Sequence, residues 1–251
     1  MQAVPSVSDI AWFHFDELPS TQDEVRSRMS LVEAKLPSGI RWAPLIGVSA
    51  AHQTAGRGRL GSSWLDARGS LMLSIGFLDD LSNKGFPVLV MKAAASAVRS
   101  ACAGLLGHTD AERLYIRWPN DVMLDGRKLA GTLVETFRIE GSGGLRGTVL
   151  GVGVNAASRP PEVPDAAALA DYAADIDASA VKRSFLADFG AFMAQPDEAS
   201  RRYAACLRLP PLVRTPAGAG KPVSWESGAV TIATPDGNVT VNEDEIIGWE
   251  G

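Results

Sequence analysis

Along residues 71–77 the chain alternates Leu71, Leu73, Ile75 and Phe77 with Met72, Ser74 and Gly76, the period of two expected of a strand with one buried face. The same period recurs at 145–155, where Leu150, Val152 and Val154 face one way and Gly151, Gly153 and Asn155 the other. At 128–133 it puts Lys128, Ala130 and Thr132 on one face and Leu129, Gly131 and Leu133 on the other. Short apolar runs at 10–15 and 45–50 predict two further strands, joined to the intervening helix in part by a connection at 35–44 that holds two prolines and a glycine. Helical spacing appears in four places. Val25, Met29 and Val32 predict a helix opening at Ser20 or Thr21, whose hydroxyls can cap it, with Asp23 and Glu24 opposing the dipole. Met91, Ala95, Val98, Cys102 and Leu105 predict a long core helix behind Pro87, stopping by Gly104 and Gly107. Val181, Phe185, Phe189 and Phe192 form a third stripe, and residues 197–209, behind Pro196, a fourth helix with Tyr203 and Cys206.

Turn residues divide these elements. Asp125-Gly126 between two apolar runs is a two-residue hairpin signal, so 114–136 reads strand, irregular loop, strand, turn, strand. A proline-rich linker follows at 158–164, and Pro210-Pro211 marks a boundary. Beyond it come short strands at 223–225, 229–233 and 239–241, with a turn at 235–238. About 40 residues cannot bury an independent core. The expected organisation is therefore a main domain over 1–209 and a small β tail over 210–251 that leans on it.

Composition adds little to the fold but narrows the chemistry. A chain of 251 residues, 46% hydrophobic and 21% charged, is long enough for a substantial core. Its net charge of −5 argues against a general nucleic-acid surface, so any polyanion it binds is expected to be small. Two cysteines within apolar helical patterns offer neither a disulfide framework nor zinc spacing and read as buried thiols of a reducing cytoplasm. The first residues lack the basic and apolar regions of a secretion signal, and no uninterrupted run of 18 apolar residues occurs, so no membrane partner is expected.

The densest chemistry lies at 53–64, where Gly56, Gly58 and Gly61 alternate with Arg57 and Arg59 and Trp64 closes the run. Glycines allow a backbone to approach a ligand, guanidinium forks suit carboxylate or phosphate, and the indole offers a flat apolar face. Gly56-x-Gly58-x-x-Gly61 satisfies the dinucleotide fingerprint, with Asp79 and Asp80 about 20 residues on, but the fingerprint must open a helix and here leads into a strand. A Walker A loop fails because Ser62 stands where lysine is required. A solvated surface turn is the plain structural reading. Similarly, Lys128 reads either as an edge-strand lysine or as a cation beside a cavity. The loop Arg117-Trp118-Pro119-Asn120-Asp121 holds a cation and two side chains able to meet a ribose or a metal's water shell. The glycine strip at 151–153 suits a flat ligand or a closely packed neighbour equally well.

Taken together, Gln53-Thr54-Ala55-Gly56-Arg57-Gly58-Arg59-Leu60-Gly61 with Trp64, Trp118-Pro119-Asn120-Asp121 with Lys128-Leu129-Ala130-Gly131-Thr132-Leu133, Ser20-Thr21-Gln22, and Gly151-Val152-Gly153-Val154-Asn155 resemble, in the same order, the signatures of the biotin protein ligases. The resemblance runs from about Phe13 to Asn155. It implies an α+β fold, a mixed β-sheet flanked by helices as in class II aminoacyl-tRNA synthetases, with a small C-terminal SH3-like domain. It also implies ATP-dependent activation of biotin to biotinyl-5'-AMP and transfer to a lysine of a biotin carboxyl carrier domain.

The carried-over roles follow the matching positions. Lys128 neutralises carboxylate and phosphate as charge develops, while Arg57 and Arg59 fasten the loop over the adenylate and exclude water. Ser20, Thr21, Gln22, Gln53, Gly58, Gly131, Gly151 and Gly153 surround biotin. Trp64 and Asn155 lie toward adenine, and Asn120 or Asp121 orients the phosphates and Mg2+ brought by ATP. Two departures stand out. Ser62 occupies a position where the family usually has arginine, for which Arg68 is a candidate substitute, and Arg117 stands where lysine is common. The chain starts almost directly at the catalytic domain, so no DNA binding is expected, and a homodimer is compatible with the family. Lipoate ligases and octanoyl transferases of the same fold, and a non-catalytic biotin-binding relative favoured by Ser62, are the alternatives. A loop of glycines and like charges is expected to have little reason to order without ligand.

Overall fold

Nineteen residues after its first strand begins, the chain has already placed one helix across the sheet that will carry everything else. The computed structural model describes residues 6–7, 9–31, 34–107, 112–216, 218–226, 229–242 and 248–250. The strands of the main part are β1 (Ala11–Leu18), β2 (Trp42–Gln53), β3 (Leu71–Asp80), β4 (Leu114–Arg117), β5 (Asp121–Leu124), β6 (Arg127–Arg138), β7 (Leu145–Val154) and β8 (Leu207–Arg208). They form one mixed sheet in the order β1-β2-β3-β7-β6-β5-β4-β8, antiparallel except for β1 on β2 and β8 on β4. Helices α1 (Thr21–Met29), α2 (Phe86–Leu106), α3 (Ala178–Ala194) and α4 (Pro196–Cys206) flank it.

The long strand over 71–80 is buried on both faces, not on one as its alternation predicts. Leu71, Leu73, Ile75 and Phe77 join the main core with α2 and α3, where Phe185 and Phe189 stack at 5.3 Å. The smaller residues of the other face are covered by α1: a side chain at Gly76 would meet Met29 Sδ at 2.5 Å and Val25 Cγ1 at 2.7 Å. Alternation of large with small residues thus recorded close helix approach rather than solvent. Val32, expected to extend the apolar side of α1, lies outside the described residues. The expected connection over 35–44 is shorter than predicted, because β2 begins at Trp42 and tolerates Pro44 at an irregularity in its pairing with β3.

A second correction bears on the site. The pairing of β5 with β6 shifts between Val122 and Met123, so that Met123 opposes Lys128 while Val122 opposes Ala130, and Leu129 is the extra residue. The bulge breaks the predicted alternation. Leu129 and Ala130 both enter the main core, and Lys128 comes to the same side as Gly131 and Leu133. The fourth helix stops at Cys206 rather than at 209, because Leu207 and Arg208 pair with β4. Cys102 is fully buried and its thiol is pushed up to about 12 by desolvation, as a structural thiol should be; Cys206 is only half-buried. By length and composition α2 is apolar enough to cross a membrane, yet its Ala93, Ala94, Ala97, Val98 and Ala101 sit in the main core.

Past residue 210 the strands β9 (Leu212–Thr215), β10 (Gly218–Glu226), β11 (Ala229–Thr234), β12 (Gly237–Asn242) and β13 (Gly248–Glu250) form a second sheet in the order β12-β11-β10-β9-β13. This antiparallel sheet agrees with the SH3-like expectation. It leans on the main domain as predicted, with Trp118, fully buried, clustered against Val213, Val230, Ile232 and Val241.

Candidate active site

A cavity of about 320 Å³ opens where the N-terminus of α1, the end of β2, the 53–64 loop, the β5–β6 bulge and the glycine strip of β7 converge. Every residue singled out from the sequence as a site residue lines it except Ser20 and Asn155. The strip serves both of the purposes its pattern allowed. A side chain at Gly153 would strike the Trp64 indole at 2.5 Å and one at Gly151 would strike Gln22 at 2.8 Å, so backbone is the seat for both groups and also part of the cavity wall.

On the α1 side the polar groups are partly tied to one another. The Thr21 backbone N–H donates to Gln53 Oε1 at 2.7 Å and the Thr21 hydroxyl donates to the same oxygen at 3.0 Å, accepting in turn from Ser74 Oγ at 2.8 Å. A backbone N–H can only donate, so the Gln53 oxygen is fixed toward Thr21 and its NH2 group is left as a donor. Ser20 holds the N-cap position of α1 in extended backbone but its side chain makes no cap bond. Capping is therefore not the role of either hydroxyl. Ser74, which completes this network, was hidden in the sequence as one small residue on a strand face.

Among the described cavity-lining residues, Gln22 Nε2, Trp64 Nε1 and Thr132 Oγ1 are buried polar atoms without a hydrogen-bond partner within the protein. Each such group costs on the order of 1–3 kcal/mol if left unpaired, and their gathering on residues of one cavity suits a surface that hydrogen-bonds a ligand. Asn120, 6% exposed, donates its amide to the Thr132 carbonyl and is stitched to β6. Asn155 lies behind the wall, donating to the Ala167 carbonyl at 3.1 Å, with its Oδ1 buried and unpaired.

The two families of cations differ in their ties. Lys128 Nζ lies 2.7 Å from Asp121 Oδ1 and 5.8 Å from the Trp64 ring centre, while Asp121 Oδ2 accepts from Arg117 at 2.8 Å. Asp121, 5% exposed, thus carries a cation on each oxygen. A side chain at residue 131 would rest 3.5 Å from Lys128 Nζ, so glycine there keeps the ammonium open to the cavity. In the loop, Arg57 donates to Asp23 on α1 and, at 2.9 Å, to Glu135 on β6; the bond to Asp23 foremost raises the guanidinium above its ordinary value. Both partners were missed, since an exposed acid on a helix and another on a strand give no motif.

Loop residues 58–62 are closed by Gly58 N to Ser62 O at 2.7 Å and Ser62 Oγ to Arg59 O at 2.8 Å. Ser62, flagged as a lost phosphate contact, is a staple of the loop and lines the cavity; Arg68 does not line it. Leu60 holds a left-handed backbone, φ 55°, with its side chain 60% exposed at the cavity mouth. Arg57 thus has two acidic partners within the protein, local contacts that the expectation for a loop of glycines and like charges did not include. Asp79, the acid spaced for a dinucleotide fingerprint, is instead buried against Arg146 and Thr148. Among the described residues no group of three His, Cys, Asp or Glu could hold a metal ion. With both Asp121 oxygens engaged, the site does not fit a resident Mg2+.

Comparison with known proteins places this geometry. The chain is 42% identical over 125 residues to a biotin–[acetyl-CoA-carboxylase] ligase of Mycobacterium tuberculosis, covering 49% of this chain and 44% of that one. It is 31% identical over 155 residues to the bifunctional ligase/repressor BirA of Bacillus subtilis, covering 61% and 42%. The chain thus spans under half the length of these curated relatives. Its fold is that of the Aquifex aeolicus biotin protein ligase solved in complex with biotin and ATP, with a TM-score of 0.65 at 24% identity over 94% of this chain and 97% of that one. It is also that of the Leishmania major biotin protein ligase in complex with biotinyl-5-AMP, with a TM-score of 0.60 at 21% identity over 95% and 98%. Residues 21–155, more than half of the chain and the stretch that builds the cavity, match the Biotin/lipoate A/B protein ligase family, and to that family the chain belongs.

Proposed function

We propose that this chain is a biotin protein ligase: it joins biotin to ATP, releasing pyrophosphate and forming biotinyl-5'-AMP, and passes the biotinyl group to a lysine of a biotin carboxyl carrier domain, releasing AMP. The observation that carries the reading is the net-positive cluster of Lys128, Asp121 and Arg117 at a cavity ringed by unpaired donors. Two anions must meet in the first step, and Lys128 has hydrogens left to bind the carboxylate oxygen that attacks and the phosphoryl oxygen that gains charge. Preorganised charge of this kind contributes on the order of 10²–10³ in rate.

Around it, Gln22, the Gln53 amide and Thr132 supply hydrogen bonds for the biotin head, with Thr21 and Ser20 fixing them from behind. Gly58, Gly131, Gly151 and Gly153 let ligand and backbone approach. Trp64 stacks toward adenine, and Asn155 supports that wall from behind. Arg57 and Arg59 keep the loop closed over the mixed anhydride, which water would otherwise hydrolyse. Asp121 acts on the phosphate end through Lys128, whose ammonium it orients, Asn120 holds the neighbouring backbone of β6 in place, and Mg2+ arrives with the ATP phosphates. A main domain of 1–209 with a tail of 210–251, a cytoplasmic location, and no DNA partner, given the net charge of −5, complete the proposal.

Pyrophosphate exchange into ATP, run with biotin, lipoate and octanoate in turn, tests it. Exchange with biotin alone is expected. Exchange with lipoate or octanoate instead assigns the site to a different acid, and biotin binding without exchange makes the chain a non-catalytic relative.

A further inference from the structure

The sequence offers Arg117 as a loop cation that stands where lysine is common among the biotin protein ligases, and it does not line the cavity. We infer that Arg117 is a positioning residue for the activation step, acting through Asp121 on Lys128. This inference rests on the function proposed above. Three observations carry it. Arg117 ends β4 and Asp121 begins β5, paired in register across the intervening turn, so the guanidinium reaches the carboxylate within one hairpin. Asp121 is 5% exposed and uses one oxygen for each cation, Arg117 at 2.8 Å and Lys128 at 2.7 Å. The backbone holding Arg117 is itself braced, because Tyr203 donates to the Pro119 carbonyl at 2.7 Å and Trp118 N to the Arg208 carbonyl at 3.0 Å.

Charge decides what this arrangement is for. A lysine paired with one buried carboxylate is a neutral dipole, poorly suited to gather two anions. Adding Arg117 to the far oxygen restores a net positive cluster while the carboxylate still dictates where Lys128 Nζ points. A single carboxylate can thus orient the lysine without cancelling it. The contact that lysine at 117 would have to replace is a single one, from one terminal guanidinium nitrogen to Asp121 Oδ2, so an ammonium can supply the same charge there.

The test compares Arg117→Gln, Arg117→Lys and wild type in pyrophosphate exchange and in binding of biotin against its neutral primary amide by calorimetry. Arg117→Gln is expected to lower kcat for exchange about 30-fold with KM for ATP changed less than about threefold, below the 10²–10³ of a charge that meets the reacting atoms directly, because Arg117 acts through Asp121. Arg117→Lys is expected to recover most of that loss. The preference for biotin over its amide is expected to fall about tenfold in Arg117→Gln, a readout that a merely structural role would not move. Unchanged kcat and unchanged acid-over-amide preference in Arg117→Gln would overturn the inference, as would equal losses in both variants with melting temperatures lowered in step. A wild-type protein that binds neither biotin nor its amide fails the proposed function instead.

Discussion

Arg57 and Lys128 face the same cavity and both sit on carboxylates, yet the two arrangements are opposites. Arg57 lies between Asp23 and Glu135, partners 57% and 43% exposed, in a cluster of net charge −1. Lys128 shares the buried Asp121 with a second cation, in a cluster of net charge +1. Exposed pairs contribute about 0.2–1 kcal/mol each, so the Arg57 cluster is a latch that can open. The buried carboxylate of the other cluster would be left uncompensated without its cations, at a cost of about 3–5 kcal/mol, so that cluster is fixed. Under the proposed function, two basic residues that look interchangeable in the sequence would divide the work: one to fasten the loop and the other to meet the anion.

The largest effect should come from Lys128→Met, which leaves Asp121 paired with Arg117. Adenylate formation in single turnover should fall on the order of 10²–10³ while the fold, followed by circular dichroism, persists. Arg59→Gly should instead leave activation within about fivefold and release the adenylate, raising indiscriminate labelling of lysines on a bystander protein about tenfold, because the loop no longer seals the site. An Arg59→Gly variant without leakage would remove the sealing role. Smaller again is Arg57→Gln, expected to speed proteolysis of the 56–63 loop a few-fold by removing two exposed ties, with single-turnover chemistry little changed.

The smallest effect concerns His52, which binds Asp66 at 2.9 Å and ties the end of β2 to the far side of the loop. Its pKa is raised from the ordinary 6.5 by the hydrogen bond to Asp66 and then by that residue's charge. Protonation therefore favours the tie, which is fully present below pH 6.5 and lost as pH rises through the higher folded value. Loop proteolysis should accelerate modestly between pH 6 and pH 8.5 in wild type and lose that pH dependence in His52→Asn.

Much of this was legible because the chemistry needed rare local combinations. The glycine-arginine run, the Asp125-Gly126 hairpin and the strip at 151–153 are written within a few residues each; the run and the strip meet at one cavity, and the hairpin leads into β6, which brings Lys128 to it. What escaped depended on pairing between distant segments. The bulge at Leu129 is a property of two strands together, so alternation alone put Lys128 beside Ala130 and Thr132 instead of Gly131. Ser74, Asp23 and Glu135 act only through partners 34 to 78 residues away in the chain. Ser62 was legible as a departure but not as a loop staple, since a hydroxyl bonding a carbonyl three residues back leaves no pattern.

The division of labour between the two clusters is most directly tested by a crystal structure of this chain with biotin and a non-hydrolysable ATP analogue. The account predicts a biotin carboxylate oxygen within about 3 Å of Lys128 Nζ, hydrogen-bond reach for a reacting group, with Arg57 still on Asp23 and Glu135. A carboxylate held by Arg57, released from both acids while Lys128 stays only on Asp121, would contradict it.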